Sequence, residues 1–393
     1  MLRKLVSGSA MVVIVLVAVS AQAETLVNES GGFGPEPESS TVEFSFDVPD
    51  ADTQLALAVG AELNQGTATL ALYNAVGESV FEVTFGELTL IKSLGPFNEP
   101  GAFRGELVSD NAVGEWSVNI ATIPPRAVFR TLLLSGPLMV AVALAFAIGW
   151  KVRARAQWRW FWVGAAIWAV GVGLKFAWAI PLNKPIVNAI KSVLPESAYL
   201  AVASVYVGAL TGVFEIGVTL IAARIWRSMA REPNRAVAVG VGAGSIEALL
   251  LGLVGFASIL ISLLEYPGAG TVRAAAAFSV GGTPLVFLAG PLERIIAILC
   301  HTSSRALVLI GVAQRRWAPF WYGFLIMTGI DAIAGWTHLS GFLGTQSVWW
   351  VEVAIAPFAV VSIPIIVWCL RRWPVDKKEA TGCSSEFTEA NAE

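Results

Sequence analysis

Gly290-Pro-Leu-Glu-Arg-Ile-Ile-Ala-Ile-Leu-Cys-His-Thr-Ser-Ser-Arg305 lies inside an apolar run, residues 285–312, that is long enough to cross a bilayer. It nevertheless carries Glu293, Arg294, His301 and Arg305. Ionisable side chains at membrane depth cost roughly 2.5–3.5 kcal/mol each on insertion scales, so they face a protein-lined interior and mark function. Positions 293, 297, 301 and 305 step by four, which sets Glu293, His301 and Arg305 along one helix face. The question is then which residues of other helices meet this stripe.

The whole chain fits that reading. Its 393 residues are 55% hydrophobic and 14% charged, with a mean hydropathy of +0.68. Soluble domains carry about 25% charged residues, so the chain is a polytopic membrane protein with a less apolar part attached. A net charge of -3 argues against a nucleic-acid partner. Cys300, Cys369 and Cys383 are too few for a disulfide framework, and none precedes residue 130.

At the start, Met1-Leu-Arg-Lys4 is basic, Ala10–Val19 is apolar, and Ala21-Gln-Ala23 is a small-x-small cleavage pattern. Residues 1–23 are therefore expected to form a signal peptide, with an uncleaved first membrane helix as the alternative, and the segment after it is expected outside the cytoplasmic membrane. Residues 24–126 alternate with period two at 40–48, 54–61, 68–73, 79–85 and 115–120, with Gly, Pro, Asn and Asp between the runs. Such spacing predicts an antiparallel β-sandwich or jelly roll. The Leu-Tyr-Asn-x-x-Gly turn at 72–77 and the Gly-Glu-Trp-Ser-Val-Asn-Ile segment at 114–120 resemble accessory jelly rolls of secreted peptidases. This part has no His and no Cys, so a binding or lid role with an unidentified ligand suits it better than catalysis.

Residues 127–372 form an all-α membrane domain. Apolar runs at about 128–150, 160–181, 199–225, 236–262, 285–312, 318–340 and 348–370 give roughly seven transmembrane helices. Lys151, Arg153, Arg155 and Arg159 crowd the first loop, Arg224, Arg227, Arg231 and Arg235 the third, and Arg315 and Arg316 the fifth. Arg371, Arg372, Lys377 and Lys378 open the tail. Under the positive-inside rule the sandwich is extracytoplasmic and the C-terminus cytoplasmic, in the inner membrane of a multi-pass protein. Residues 373–393 are expected to be a disordered cytoplasmic tail.

Counting depth at 1.5 Å per residue, Glu215 and His301 each lie about 16 residues from the outer end of their span, and Glu247 about 15. Glu293 and Asp331 lie about 8 or 9 residues from that end, which makes a shallower supporting pair beside Arg294. Glu215, Glu247 and His301 on three helices can share one site, with Lys175 as a counter-charge. A single buried carboxylate is as often a packing device as a functional one, paired with Arg294, Arg305 or Lys175. Three ionisable groups at one depth favour a functional site. Gly240, Gly242 and Gly244, just before Glu247, suit close helix packing.

These residues resemble a family. Gly240-Val-Gly-Ala-Gly-Ser-Ile-Glu-Ala-Leu-Leu-Leu-Gly252 is similar to the glycine-rich, Ile-Glu-Ala segment of YhfC-type intramembrane proteases. Glu293-Arg-Ile-Ile-Ala-Ile-Leu-Cys-His301 looks like that family's Glu-Arg helix, and Gly212-Val-Phe-Glu215 like the start of its Glu-Glu motif. The likeness covers most of 130–370. It departs at Ile216, where a second Glu is expected, and at Ala243 and Met327, where His residues are expected.

The resemblance implies peptide-bond hydrolysis inside the bilayer, of either glutamic or metallo type. In the glutamic reading Glu215 or Glu247 activates water and His301 is the electrophilic or proton-shuttling partner. No His-Glu-x-x-His motif supports a metal, so no cofactor is expected, and zinc is the alternative. The substrate would be a membrane protein or lipid-linked peptide reached from the bilayer. Two other readings stay open: a pseudoprotease that keeps the cavity as a receptor or scaffold, and an ion-coupled transporter. Against transport, no counter-charge pattern repeats in both halves.

Overall fold

The computed structural model describes residues 25–97, 100–264, 269–280, 285–342 and 346–374. The expected signal peptide lies outside the described residues, as does the tail beyond Pro374. The chain divides into two compact units. The first holds the described residues up to Ser135 with Val254–Leu288 and Gly341–Val348, and the second holds Gly136–Leu253, Ala289–Ser340 and the chain from Trp349.

The first unit is built on six antiparallel strands: β1 (Thr25–Glu38), β2 (Thr41–Val48), β3 (Leu55–Tyr73), β4 (Ser79–Phe85), β5 (Glu87–Leu94) and β6 (Gly101–Thr122). The alternating runs at 54–61 and 68–73 are one long strand, and 115–120 is the end of another. β1, β5 and the first half of β6 carry no clean alternation, because Gly, Pro and charged residues interrupt it.

Hydrogen bonding makes this one sheet rather than two. β3 and β6 pair along their length, β5 and β4 take successive halves of the outer edge of β3, and β2 and β1 do the same for β6. At mid-length the register shifts between Leu63 and Thr67, which moves the inward face from Leu55, Leu57 and Val59 to Ala68, Leu70 and Leu72. Gly66 is required there, because a Cβ would sit 2.2 Å from the Asn111 carbonyl oxygen. Leu57, Leu70, Leu107, Val118 and Ile120 are all 0% exposed and belong to one apolar cluster made of sheet and turn residues. The sheet therefore has one buried apolar face.

Among the described residues the α-helices after the sheet are α1 (Arg126–Leu132), α2 (Ser135–Ala154), α3 (Trp158–Val193), α4 (Glu196–Thr211), α5 (Gly217–Ile225), α6 (Pro233–Leu263), α7 (Ala269–Val280), α8 (Ala289–Gln314), α9 (Ala318–Leu339) and α10 (Trp349–Arg372). Among the described residues, 6 stretches are long and apolar enough to cross a membrane. The seventh expected span is α9, which is a helix but carries Trp321, Tyr322, Asp331 and Trp336, and these lower its hydropathy. The short α7 is an addition to the expected elements. It belongs to the first unit, where Ala274 and Ala277 pack on Ala56 and Ile123 of the sheet.

In the second unit α8 is the hub. Its most apolar window is 83% buried, against 17–39% for the other five spans, so lipid-facing side chains such as Leu144, Leu253 and Val360 sit on the outer helices. Glycines bring backbones close around it. A Cβ on Gly240 would meet Thr302 of α8 at 2.6 Å, and one on Gly244 would meet Ile298 at 2.8 Å. Gly242 turns the other way, 2.1 Å from the Phe161 carbonyl oxygen of α3 by the same measure. The glycine run therefore lets α6 lie against both α3 and α8, the small-residue packing used between membrane helices. Gly242→Ala should destabilise the protein by about 1–3 kcal/mol, since rigid backbone blocks the added carbon. Thermal unfolding in detergent checks this, with Gly149→Ala, whose Cβ meets nothing within 4 Å, as the neutral control.

Candidate functional site

The close packing of α3, α6 and α8 and one local irregularity place the polar side chains. Between α4 and α5 the helix widens into a π-turn at Gly212–Ile216, which carries Glu215. Thr219 Oγ1 donates to the Glu215 carbonyl oxygen at 2.7 Å, a bond back to the residue four earlier. Gly171 of α3 has no room for a Cβ against Phe214 and Glu215, so the turn presses on α3. Single π-turns of this kind concentrate at functional sites.

Glu215, Glu247 and His301 meet. His301 Nε2 lies 2.8 Å from Glu247 Oε2, and its Nδ1 lies 3.9 Å from Glu215 Oε2. Arg305, one turn along α8 and 0% exposed, points a guanidinium nitrogen at His301 Nδ1 (2.5 Å) and another at Glu215 Oε2 (3.2 Å). A guanidinium has only donors, so Nδ1 accepts, and the neutral ring carries its proton on Nε2, directed at Glu247. His301 is thus held at both nitrogens.

Each carboxylate has a fixed cation. Lys175 Nζ donates to Glu215 Oε1 at 3.1 Å and to Thr211 Oγ1 at 3.1 Å, with Asp331 Oδ2 at 3.6 Å. Arg294 donates to Glu247 Oε1 at 2.5 Å and also to Glu293. The Trp168 indole donates to Glu247 Oε2 at 3.0 Å. Glu293 and Asp331 therefore do not form a shared shallow pair. Glu293 goes with Arg294, whereas Asp331 accepts from Thr211 and faces Lys175, because α9 packs on α4 with Gly208 against Thr328 and Ala332. His338 is exposed in the last turn of α9.

Lys175, Glu215, Glu247, Arg294, His301 and Asp331 line a cavity of about 290 Å³ whose other walls are mostly apolar, among them Val172, Phe176, Leu250, Met327 and Ile355. The Glu247 side chain is 20% exposed towards it and the Lys175 side chain 21%, whereas Glu215 is 3% exposed. Trp168 and Thr211 join the site without having stood out in the sequence. An indole N–H buried in a span needs a partner, and that need was the available signal for Trp168.

A family model described as YhfC intramembrane metalloprotease matches residues 138–355, more than half of the chain. The chain belongs to that family. It is accordingly a multi-pass membrane protein, and the match takes in every residue of the cluster above. No curated protein matches it. Among solved structures it is similar to a structure of infectious bursal disease virus Gx strain, at 15% identity and a TM-score of 0.16. That match covers 25% of this chain and 30% of the viral one, a likeness too slight to bear on fold or function.

The family's description implies a metal ion, and the donor set of this member does not fit one. Hydrolytic zinc sites take three protein ligands and a water. Here His301 has both ring nitrogens committed, and Glu215 and Glu247 are each in contact with a guanidinium or ammonium. A divalent ion would sit among Lys175, Arg294 and Arg305, three like charges at contact range of its ligands. Among the described residues no group of His, Cys, Asp and Glu is arranged to hold a metal. Ile216, Ala243 and Met327 are buried apolar side chains that add no donor.

Proposed function

We propose that this chain hydrolyses peptide bonds of membrane-embedded substrates without a metal, with Glu247 as the base that activates water. The observation that carries this reading is the geometry at Glu247. Its Oε2 accepts from His301 and Trp168 and its Oε1 from Arg294, in a mostly apolar cavity. A carboxylate offers about four acceptor sites, so one on Oε1 is free for a water proton. Glu215 is enclosed by Lys175 and Arg305 and serves to hold them.

The water oxygen attacks the substrate carbonyl carbon while its proton passes to Glu247. The developing oxyanion needs donors. Lys175 supplies one, because its 3.6 Å contact with Asp331 is too long for a hydrogen bond and leaves an ammonium proton uncommitted. On collapse the C–N bond breaks, and the leaving nitrogen takes the proton from Glu247. His301, fixed by Arg305, orients the base throughout.

The saturation of the cluster favours a second reading, an inactive relative that keeps the cavity as a receptor. Purified protein in liposomes, offered a pool of labelled single-span substrates, separates the two. Hydrolysis by the wild type that falls about 10–100-fold in His301→Gln supports the peptidase. A folded wild type that cuts none of the pool, with His301→Gln altering only thermal stability, supports the receptor.

A further inference from the structure

A second cavity of about 350 Å³ opens away from the Glu–His cluster, between the ends of α5 and α8 and the start of α9. Arg224, Arg227, Arg315 and Arg316 line it. All four are exposed, none is ion-paired with a carboxylate among the described residues, and no Asp or Glu lines the cavity. Its deeper wall is apolar, with Val308 at 0% and Phe320 at 8% exposure, and Leu220 beside them.

The wall therefore changes from hydrocarbon to guanidinium over about one helical turn, at the point where two apolar spans end at Ile225 and Gln314. Trp317 marks the same level, with the Arg224 guanidinium 4.4 Å from its ring centroid. Arg315 takes a left-handed conformation (φ 55°) that ends α8, and the backbone N–H of Arg316 closes the turn on Gly311 at 2.8 Å, so two consecutive arginines stand at the mouth.

We propose that this cavity binds the phosphate of an anionic phospholipid, with the acyl chain against Leu220, Val308 and Phe320. Guanidinium forks match phosphate oxygens, and four uncompensated ones in a concave site make a phosphate trap. Free phosphate shares that chemistry. The apolar wall is what selects a lipid, since a hydrated ion gains nothing from it. Basic pockets between membrane helices are a known setting for such head groups. The site shares no lining residue with the Glu–His cavity and is independent of the peptidase reading.

The test is lipid retention by full-length protein, read by native mass spectrometry after exchange into vesicles of phosphatidylglycerol, of phosphatidylcholine, or of phosphatidylcholine with inorganic phosphate. Wild type should retain phosphatidylglycerol and not phosphatidylcholine. Arg224→Gln with Arg316→Gln should weaken retention roughly 30-fold, the loss expected for two charges. The same pair changed to Lys keeps the charge but not the fork, so its retention should fall between wild type and the glutamine pair, and an unchanged unfolding temperature shows that the fold survives. Arg153→Gln with Arg155→Gln, an equal charge loss outside the cavity, should change little. Equal loss in the two glutamine pairs would reduce the effect to surface potential and overturn the proposal. So would retention without preference for the anionic lipid. Inorganic phosphate that displaces the lipid or binds in its place would make this a free-anion site instead.

Discussion

Glu247→Gln should lower peptide-bond cleavage by about 10²–10⁴-fold, the range for losing a positioned general base. The amide keeps the shape of the carboxylate and its oxygen can still accept from Trp168 and His301, while its NH2 then faces Arg294, which keeps Glu293 as a partner; folding should survive with some loss of stability. Unfolding measured beside cleavage separates lost chemistry from lost structure. Glu215→Gln should behave differently. It removes the main partner of Lys175 and Arg305, and activity should fall together with stability. If Glu215→Gln abolished cleavage with a normal unfolding temperature while Glu247→Gln still cut, the two carboxylates would have to exchange roles.

Arg305→Met should be the most destabilising single change in the cluster, by about 3–5 kcal/mol. Arg305 is fully buried and bridges His301 Nδ1 to Glu215. Methionine fills the volume but leaves a buried carboxylate with one cation instead of two and a ring nitrogen without its donor. Combining it with Glu215→Gln should cost less than the sum of the two changes, because the stranded charge is then gone. Thermal or denaturant unfolding of the single and double variants gives the coupling directly. A strictly additive result would mean that Arg305 acts through packing alone.

How much of the molecule was legible in its sequence depended on which physical signal carried each part. The period-four stripe on α8 and a count of depth were enough to bring Glu215, Glu247 and His301 together, because helix rise is nearly constant. The same count placed Asp331 with Glu293, and failed because depth says nothing about which helices are neighbours. Asp331 meets Lys175 and Thr211 because α9 packs on α4. The π-turn at Glu215 has no periodic signature and shifts its side chain relative to a regular helix. Strands interrupted by glycine and charge were invisible for want of alternation, although the sheet they complete was expected. α7 escaped because a short segment lying on a sheet has none of the length or apolarity that marks a span.

In the peptidase proposed above, fixed side-chain cations rather than a metal frame the site of hydrolysis. The most direct test is the metal content per chain of an active preparation, measured with its cleavage rate before and after a chelator. Less than stoichiometric metal and an unchanged rate after chelation are the expected results. A stoichiometric metal whose removal stops cleavage and whose return restores it would contradict the claim.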